Sequence, residues 1–185
     1  MSDDRKAYLA LATLAANSLR SAQQLPAQID ASPQWNGIGF SLLGAFFVVS
    51  MGELNEMLEV PNYTKLPGVR SWVKGVANVR GRLLPVFDLA AYFGSTLLGS
   101  KKQQRLLIID RNQIYAGLWV DQVFGMQYFP VDAHSKRLPT VLPESIRSFV
   151  SGSFEHENRH WVVFHPLRLL EQSGFLDVAE TQFVD

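Results

Sequence analysis

The chain has 185 residues, with 17 Lys plus Arg against 17 Asp plus Glu, 47% hydrophobic and 18% charged residues, and no cysteine. Balanced charge supplies no field to draw a polyanion or an anionic membrane face, so nucleic acid is not an expected partner, and the composition is that of a folded chain. Without cysteine there is neither a disulfide framework nor a thiolate metal site, and the cytoplasm is the expected location.

The first residues, Met1-Ser2-Asp3-Asp4-Arg5-Lys6, place acids where an export signal would be basic. The longest apolar run, Phe40 to Val49, is interrupted by Ser41 and Gly44 and falls short of the roughly 20 residues of a membrane span, so no membrane insertion is expected. From Asp3 to Gln24 the helix formers Ala, Leu, Arg, Lys and Gln dominate, with Leu11, Leu14, Ala15 and Leu19 near helical spacing. Pro26 and Pro33 bracket a linker. The expected organisation is a helix and linker over 1–33 and a main domain over 34–185.

Beyond the linker, short runs of Val, Ile, Phe, Leu and Trp alternate with Gly, Pro, Asn and Asp, the pattern of an all-β barrel or sandwich. The expected strands are Gly37 to Leu43, Ala45 to Ser50, Val73 to Val79, Arg82 to Asp88, Arg105 to Ile109, Tyr115 to Val123, Phe149 to Phe154 and Trp161 to Phe164. Gly44 and Gly81 each stand where a tight hairpin needs a residue tolerant of positive φ. Pro85 cannot donate to a ladder, so its strand is expected at an edge or bulged. Phe46, Phe47, Trp119 and Trp161 read as core.

His156-Glu157-Asn158-Arg159-His160 matches the H-E-x-x-H pattern of zinc proteases, but that chemistry needs both histidines on one helical face. Here the pentapeptide lies between two strand-like runs, with an expected turn at Asn158-Arg159, so it reads as a hairpin tip. His165 belongs to the end of the next strand, and His134 to an exposed loop. Ser151-Gly152-Ser153 reads as small residues in a strand, because no Gly-x-Ser-x-Gly elbow is present. Lys101, Lys102 and Arg105 form a small basic cluster without a phosphate-binding glycine loop. No catalytic residue, metal ligand or cofactor site is assigned, and the chain is not expected to be an enzyme.

The run from Trp72 to Leu89 contains Gly75-Val76-Ala77-Asn78-Val79-Arg80-Gly81 and then Pro85-Val86-Phe87-Asp88-Leu89. It resembles the signature of the CheW-like chemotaxis coupling proteins, G-V-x-N-x-R-G followed by an apolar stretch and P-V-x-D-L. Gly117-Leu118-Trp119-Val120-Asp121-Gln122-Val123 looks like the family's G-h-h-V-D-x-V strand, where h is apolar. Phe40-Ser41-Leu42, Glu56-Met57, Thr64 to Pro67, Phe149 to Gly152 and Leu167 to Leu170 extend the resemblance over Gly37 to Leu170. The N-terminal helix, Trp35 to Phe40 and Gly75 to Leu89 look most like the PilI-like branch, which serves type IV pili and twitching motility.

The resemblance implies two small five-stranded SH3-like β-barrel subdomains behind an N-terminal helical extension. It also implies a non-enzymatic adaptor that joins the cytoplasmic tip of a methyl-accepting chemoreceptor to the regulatory domain of a CheA-type histidine kinase, in arrays at the membrane. By the same resemblance Arg80 is a receptor-binding residue, Asn78 and Gly81 shape its turn, and Glu56 is a coupling residue on the partner surface. A ligand-binding β-barrel remains open as an alternative, since the same strand pattern can enclose a cavity.

Overall fold

In the computed structural model the described residues are 11–18, 33–140 and 142–178. The chain divides into two compact units, Met1–Ser32 and Pro33–Asp185. In the first, residues 11–18 form a helix, α1. The remainder of the helix expected over Asp3 to Gln24 lies outside the described residues.

Among its described residues the second unit carries twelve strands: β1 (Gln34–Leu42), β2 (Ala45–Ser50), β3 (Glu56–Glu59), β4 (Tyr63–Thr64), β5 (Val73–Val79), β6 (Arg82–Asp88), β7 (Arg105–Arg111), β8 (Ile114–Val120), β9 (Gln122–Pro130), β10 (His134–Ser135), β11 (Val150–His156) and β12 (Arg159–Phe164). Two short helices, α2 (Leu89–Tyr92) and α3 (Pro166–Leu170), follow β6 and β12. The strands make two six-stranded sheets ordered β10-β11-β12-β2-β1-β9 and β4-β5-β6-β8-β7-β3.

These two orders follow one plan. Each begins with a two-residue strand, continues through a bulged hairpin (β11–β12 or β5–β6), crosses to a parallel neighbour (β2 or β8), and ends in a second hairpin and an edge strand. Each bulge places a glycine at positive φ, Gly75 at 140° and Gly152 at 151°. A side chain there would run into the carbonyl oxygen of the short strand above it, Thr64 for Gly75 and Ser135 for Gly152. Only glycine lets the two backbones approach so closely.

All four hairpins close with two residues at positive φ: Leu43-Gly44, Arg80-Gly81, Asn112-Gln113 and Glu157-Asn158. This is the turn whose twist matches that of the flanking strands. The β11–β12 turn therefore falls one residue before the Asn158-Arg159 position read from sequence.

Strands buried on both faces knit the unit together. Phe40, Phe47, Val49, Val162 and Phe164 of one sheet join Phe87, Leu107, Ile109 and Leu118 of the other in a shared core. Their alternate neighbours turn away: Val48, Phe129, Phe154, Trp161 and Val163 fill the first sheet, and Ala77, Leu84, Val86, Ile108 and Trp119 the second. Each fully buried phenylalanine contributes about 2 to 3 kcal/mol through burial alone. Phe40 and Phe47 also stack at 5.5 Å, with Phe164 edge-on to both. Of the four aromatics read as core, Phe47, Trp119 and Trp161 are buried and Phe46 is half-buried.

Pro85 was expected at an edge or a bulge, and the ladder does bulge beside it, between Val73 and Gly75, but Pro85 is not at an edge. Its strand β6 is interior, flanked by β5 and β8, and Pro85 pairs in register with Val76. The ladder to β8 starts only at Val86, so the missing N–H falls just before the bonds it would have interrupted. The run Tyr115 to Val123 is likewise two strands, broken at Asp121.

Candidate functional site: the β5–β6 hairpin tip

Arg80 stands at the tip of the β5–β6 hairpin with φ at 52°, in the left-handed region, and Gly81 follows at 80°. The side-chain oxygen of Asn78 accepts the Gly81 N–H at 2.9 Å and fixes the turn from within. For a residue with a Cβ the left-handed conformation costs about 1 to 2 kcal/mol.

Glu56, the first residue of edge strand β3, meets the Arg80 guanidinium at 2.8 Å. Strand β3 and the β5–β6 hairpin lie toward opposite ends of the sheet order, so the curl of the sheet brings the two side chains together. The Arg80 side chain remains 76% exposed and that of Glu56 26%. An ion pair this exposed yields at most about 1 kcal/mol, which at best offsets the cost of the backbone conformation. Folding stability therefore gives no reason for an arginine at this position.

A second pair, Arg82 with Asp110, lies beside the first, and the Arg82 guanidinium covers the Tyr115 ring at 3.9 Å. The hydrogen bond between them raises the pKa of Arg82 and lowers that of Asp110. Asn55 braces the floor by accepting the Asp110 N–H at 2.7 Å. These residues line a shallow cleft of about 150 Å³ with Arg80 and Glu56 on its rim. The arrangement holds a fixed guanidinium fork outward with acids behind it. It suits recognition of a carboxylate or carbonyl.

A CheW-like domain model matches residues 36–174. The chain belongs to the CheW-like family. Protein PilI of Pseudomonas aeruginosa is 49% identical to this CheW-like chain over 97% of it and 99% of that protein, which places the chain in the PilI-like branch. Chemotaxis protein CheW of Bacillus subtilis is 24% identical over 78% of the chain and 88% of its own length. The crystal structure of scaffolding protein TtCheW from Thermoanaerobacter tengcongensis superposes with a TM-score of 0.63 at 21% identity, covering 82% of this chain and 99% of that one, and shares the fold. The two curled sheets are consistent with the pair of SH3-like subdomains that the resemblance implied, with six strands each rather than five because the two-residue strands β4 and β10 add to them, and the chain is an adaptor of this family.

The structure thus brings Glu56, read separately from sequence, to the turn that Asn78, Arg80 and Gly81 were expected to form. Sequence reasoning missed Arg82, Asp110 and Tyr115, although an arginine two residues past the motif arginine projects from the same hairpin. In the His156 to His160 pentapeptide, the pairs Glu155↔His160 and His156↔Arg159 are adjacent rungs of one ladder. Their side chains leave opposite faces of the sheet, so the two histidines cannot share a metal. His134 is exposed as expected but lies in β10, with its ring against Phe154 at 5.1 Å. Arg105 donates to the carbonyls of Lys102 and Gln104 and so ties down its own loop.

Proposed function

We propose that this protein couples the cytoplasmic tip of a methyl-accepting chemoreceptor to a CheA-type histidine kinase in the chemosensory array that governs type IV pilus twitching motility. The near full-length likeness to PilI supports the pilus system, and membership of the CheW-like family supports coupling without catalysis. No described helix is long and apolar enough to cross a membrane, so placement on the cytoplasmic face of the array rests on its partners. Residues 34–185 form the adaptor domain, and residues 1–33 form an extension separable from it.

The observation that carries the receptor site is an exposed arginine held in an unfavourable backbone conformation by Asn78, Gly81 and Glu56. The other hairpins also turn through positive φ, so what distinguishes this one is an exposed guanidinium met by a carboxylate from another strand. Arg80 anchors the receptor, Asn78 and Gly81 shape its turn, and Glu56 aims it. Arg80→Glu weakens association with a receptor signalling fragment by about 2 kcal/mol or more, as for an interfacial arginine anchor, while urea unfolding stays near wild type. Titration of the fragment against both proteins checks this, and equal affinities would remove Arg80 from the receptor surface.

A further inference from the structure

At the far hairpin, three residues outside the receptor site form a hydrogen-bonded relay. The Ser151 hydroxyl oxygen lies 2.7 Å from Nε2 of His165, and Nδ1 of the same ring lies 3.1 and 3.3 Å from the two carboxylate oxygens of Glu53. A carboxylate on Nδ1 holds the proton there and leaves Nε2 as the acceptor for the serine proton. Ser151 is exposed, whereas the Glu53 and His165 side chains are each only 20% exposed, so the nucleophile is accessible and its supports are held in the wall. The ladder to β12 jumps from Val150↔Phe164 to Ser153↔Val162, so Ser151 sits on a bulge, a device that re-aims a side chain.

Beside the serine opens a cleft of about 600 Å³ with Trp35, Val131, Phe154 and Val163 in its wall. That is the size of a small-ligand site, and Ser151 lines it together with these apolar residues. The twin position in the other sheet shows what the fold alone requires there. Lys74, immediately before Gly75, pairs with Asp88 at 3.1 Å, and Asp88 caps α2 by accepting the Ala91 N–H at 2.9 Å. Ser151 and His165 occupy the equivalent places before Gly152 and α3, yet the His165 ring makes no cap to α3. An ordinary ion pair meets the structural need, and here it is replaced by a nucleophile, a base and an orienting acid.

We propose that Ser151 is an acyl-acceptor serine, acylated by an activated ester or thioester of a small apolar acid. Ser151 Oγ attacks the acyl carbon and forms the new C–O bond as its proton passes to Nε2 of His165. The bond to the leaving alcohol or thiol breaks, and that group takes the proton from His165. The acyl chain lies on the Phe154 and Val163 wall.

The full-length protein is incubated with p-nitrophenyl butyrate while p-nitrophenolate release, intact mass and the modified peptide are followed. The expected result is release accompanied by one butyryl group mapped to Ser151. Ser151→Ala and His165→Asn each slow release at least about 100-fold, the usual worth of a positioned base. Glu53→Gln slows it roughly 10-fold or more, and Glu53→Asp recovers part of the loss at unchanged thermal stability, which identifies Glu53 as a positioning residue. Butyryl groups on lysines alone, or equal release by Ser151→Ala, would overturn the proposal. Mapping on the wild-type protein decides even if a variant fails to fold, and receptor association of Ser151→Ala stays at the wild-type level.

Discussion

The two sheets share a backbone plan and differ in what they hang on it. Both bulged hairpins use a glycine beneath a short crossing strand, and both close through two residues at positive φ. At the β5–β6 tip the turn residue is Arg80, caught by Glu56 from across the sheet. At the β11–β12 tip the turn residues are Glu157 and Asn158, and Glu157 has only an exposed His156 contact at 3.8 Å. The same turn geometry therefore carries a paired, outward arginine in one place and a solvated tip in the other. The difference lies in the neighbouring strands, since β3 sends Glu56 to Arg80 and β7 sends Asp110 to Arg82.

The comparison breaks most severely at the shared bulge. Gly75→Val puts a branched side chain at positive φ against the Thr64 carbonyl and costs about 3 kcal/mol or more, read as a fall in the urea midpoint or loss of folded protein. Next in size, Arg80→Gly separates stability from recognition. It relieves the left-handed backbone and loses a weak ion pair, so stability stays level or rises by up to about 1 kcal/mol, while receptor binding falls as far as in Arg80→Glu.

The carboxylates of the β7–β8 region respond to pH in opposite directions. Asp121 is buried, and that burial raises its pKa, with one oxygen lacking a hydrogen-bond partner. The folded state therefore holds its proton more tightly than the unfolded chain does. Its ionisation opposes folding at neutral pH, and this penalty is relieved as pH falls through the folded pKa toward the unfolded value near 3.9. Asp110, lowered by its hydrogen bond to Arg82, supports folding above its unfolded pKa and loses that support as pH falls through the folded one. The stability of wild type relative to Asp121→Asn accordingly increases on acidification from neutral pH, measured by urea unfolding at each pH. The smallest effect belongs to the far tip: His156→Ala with His160→Ala changes stability by no more than about 0.5 kcal/mol and leaves receptor binding unchanged.

The strands Ala45–Ser50, Val73–Val79 and Arg82–Asp88 were legible to the residue because β-branched and aromatic runs there end at a glycine-bearing turn or a helix cap. Strand β9 was not. Gly125, Gln122 and Gln127 interrupt its apolar residues, and as an edge strand it needs no continuous hydrophobic face. The two-residue strands β4 and β10 carry no pattern of their own, since they exist only through their pairing with β5 and β11.

Chemistry written in a contiguous run was therefore fixed by the chain alone: the all-β class, the family signature, and the arginine at its turn. Contacts between distant segments were decided by the folded sheets. Glu56 reaches Arg80 because the sheet curls, and Ser151 reaches His165 and Glu53 because a bulge, a strand end and a turn converge. A local pattern encodes torsion angles and burial, whereas the meeting of residues far apart in sequence depends on register and curvature summed over many strands.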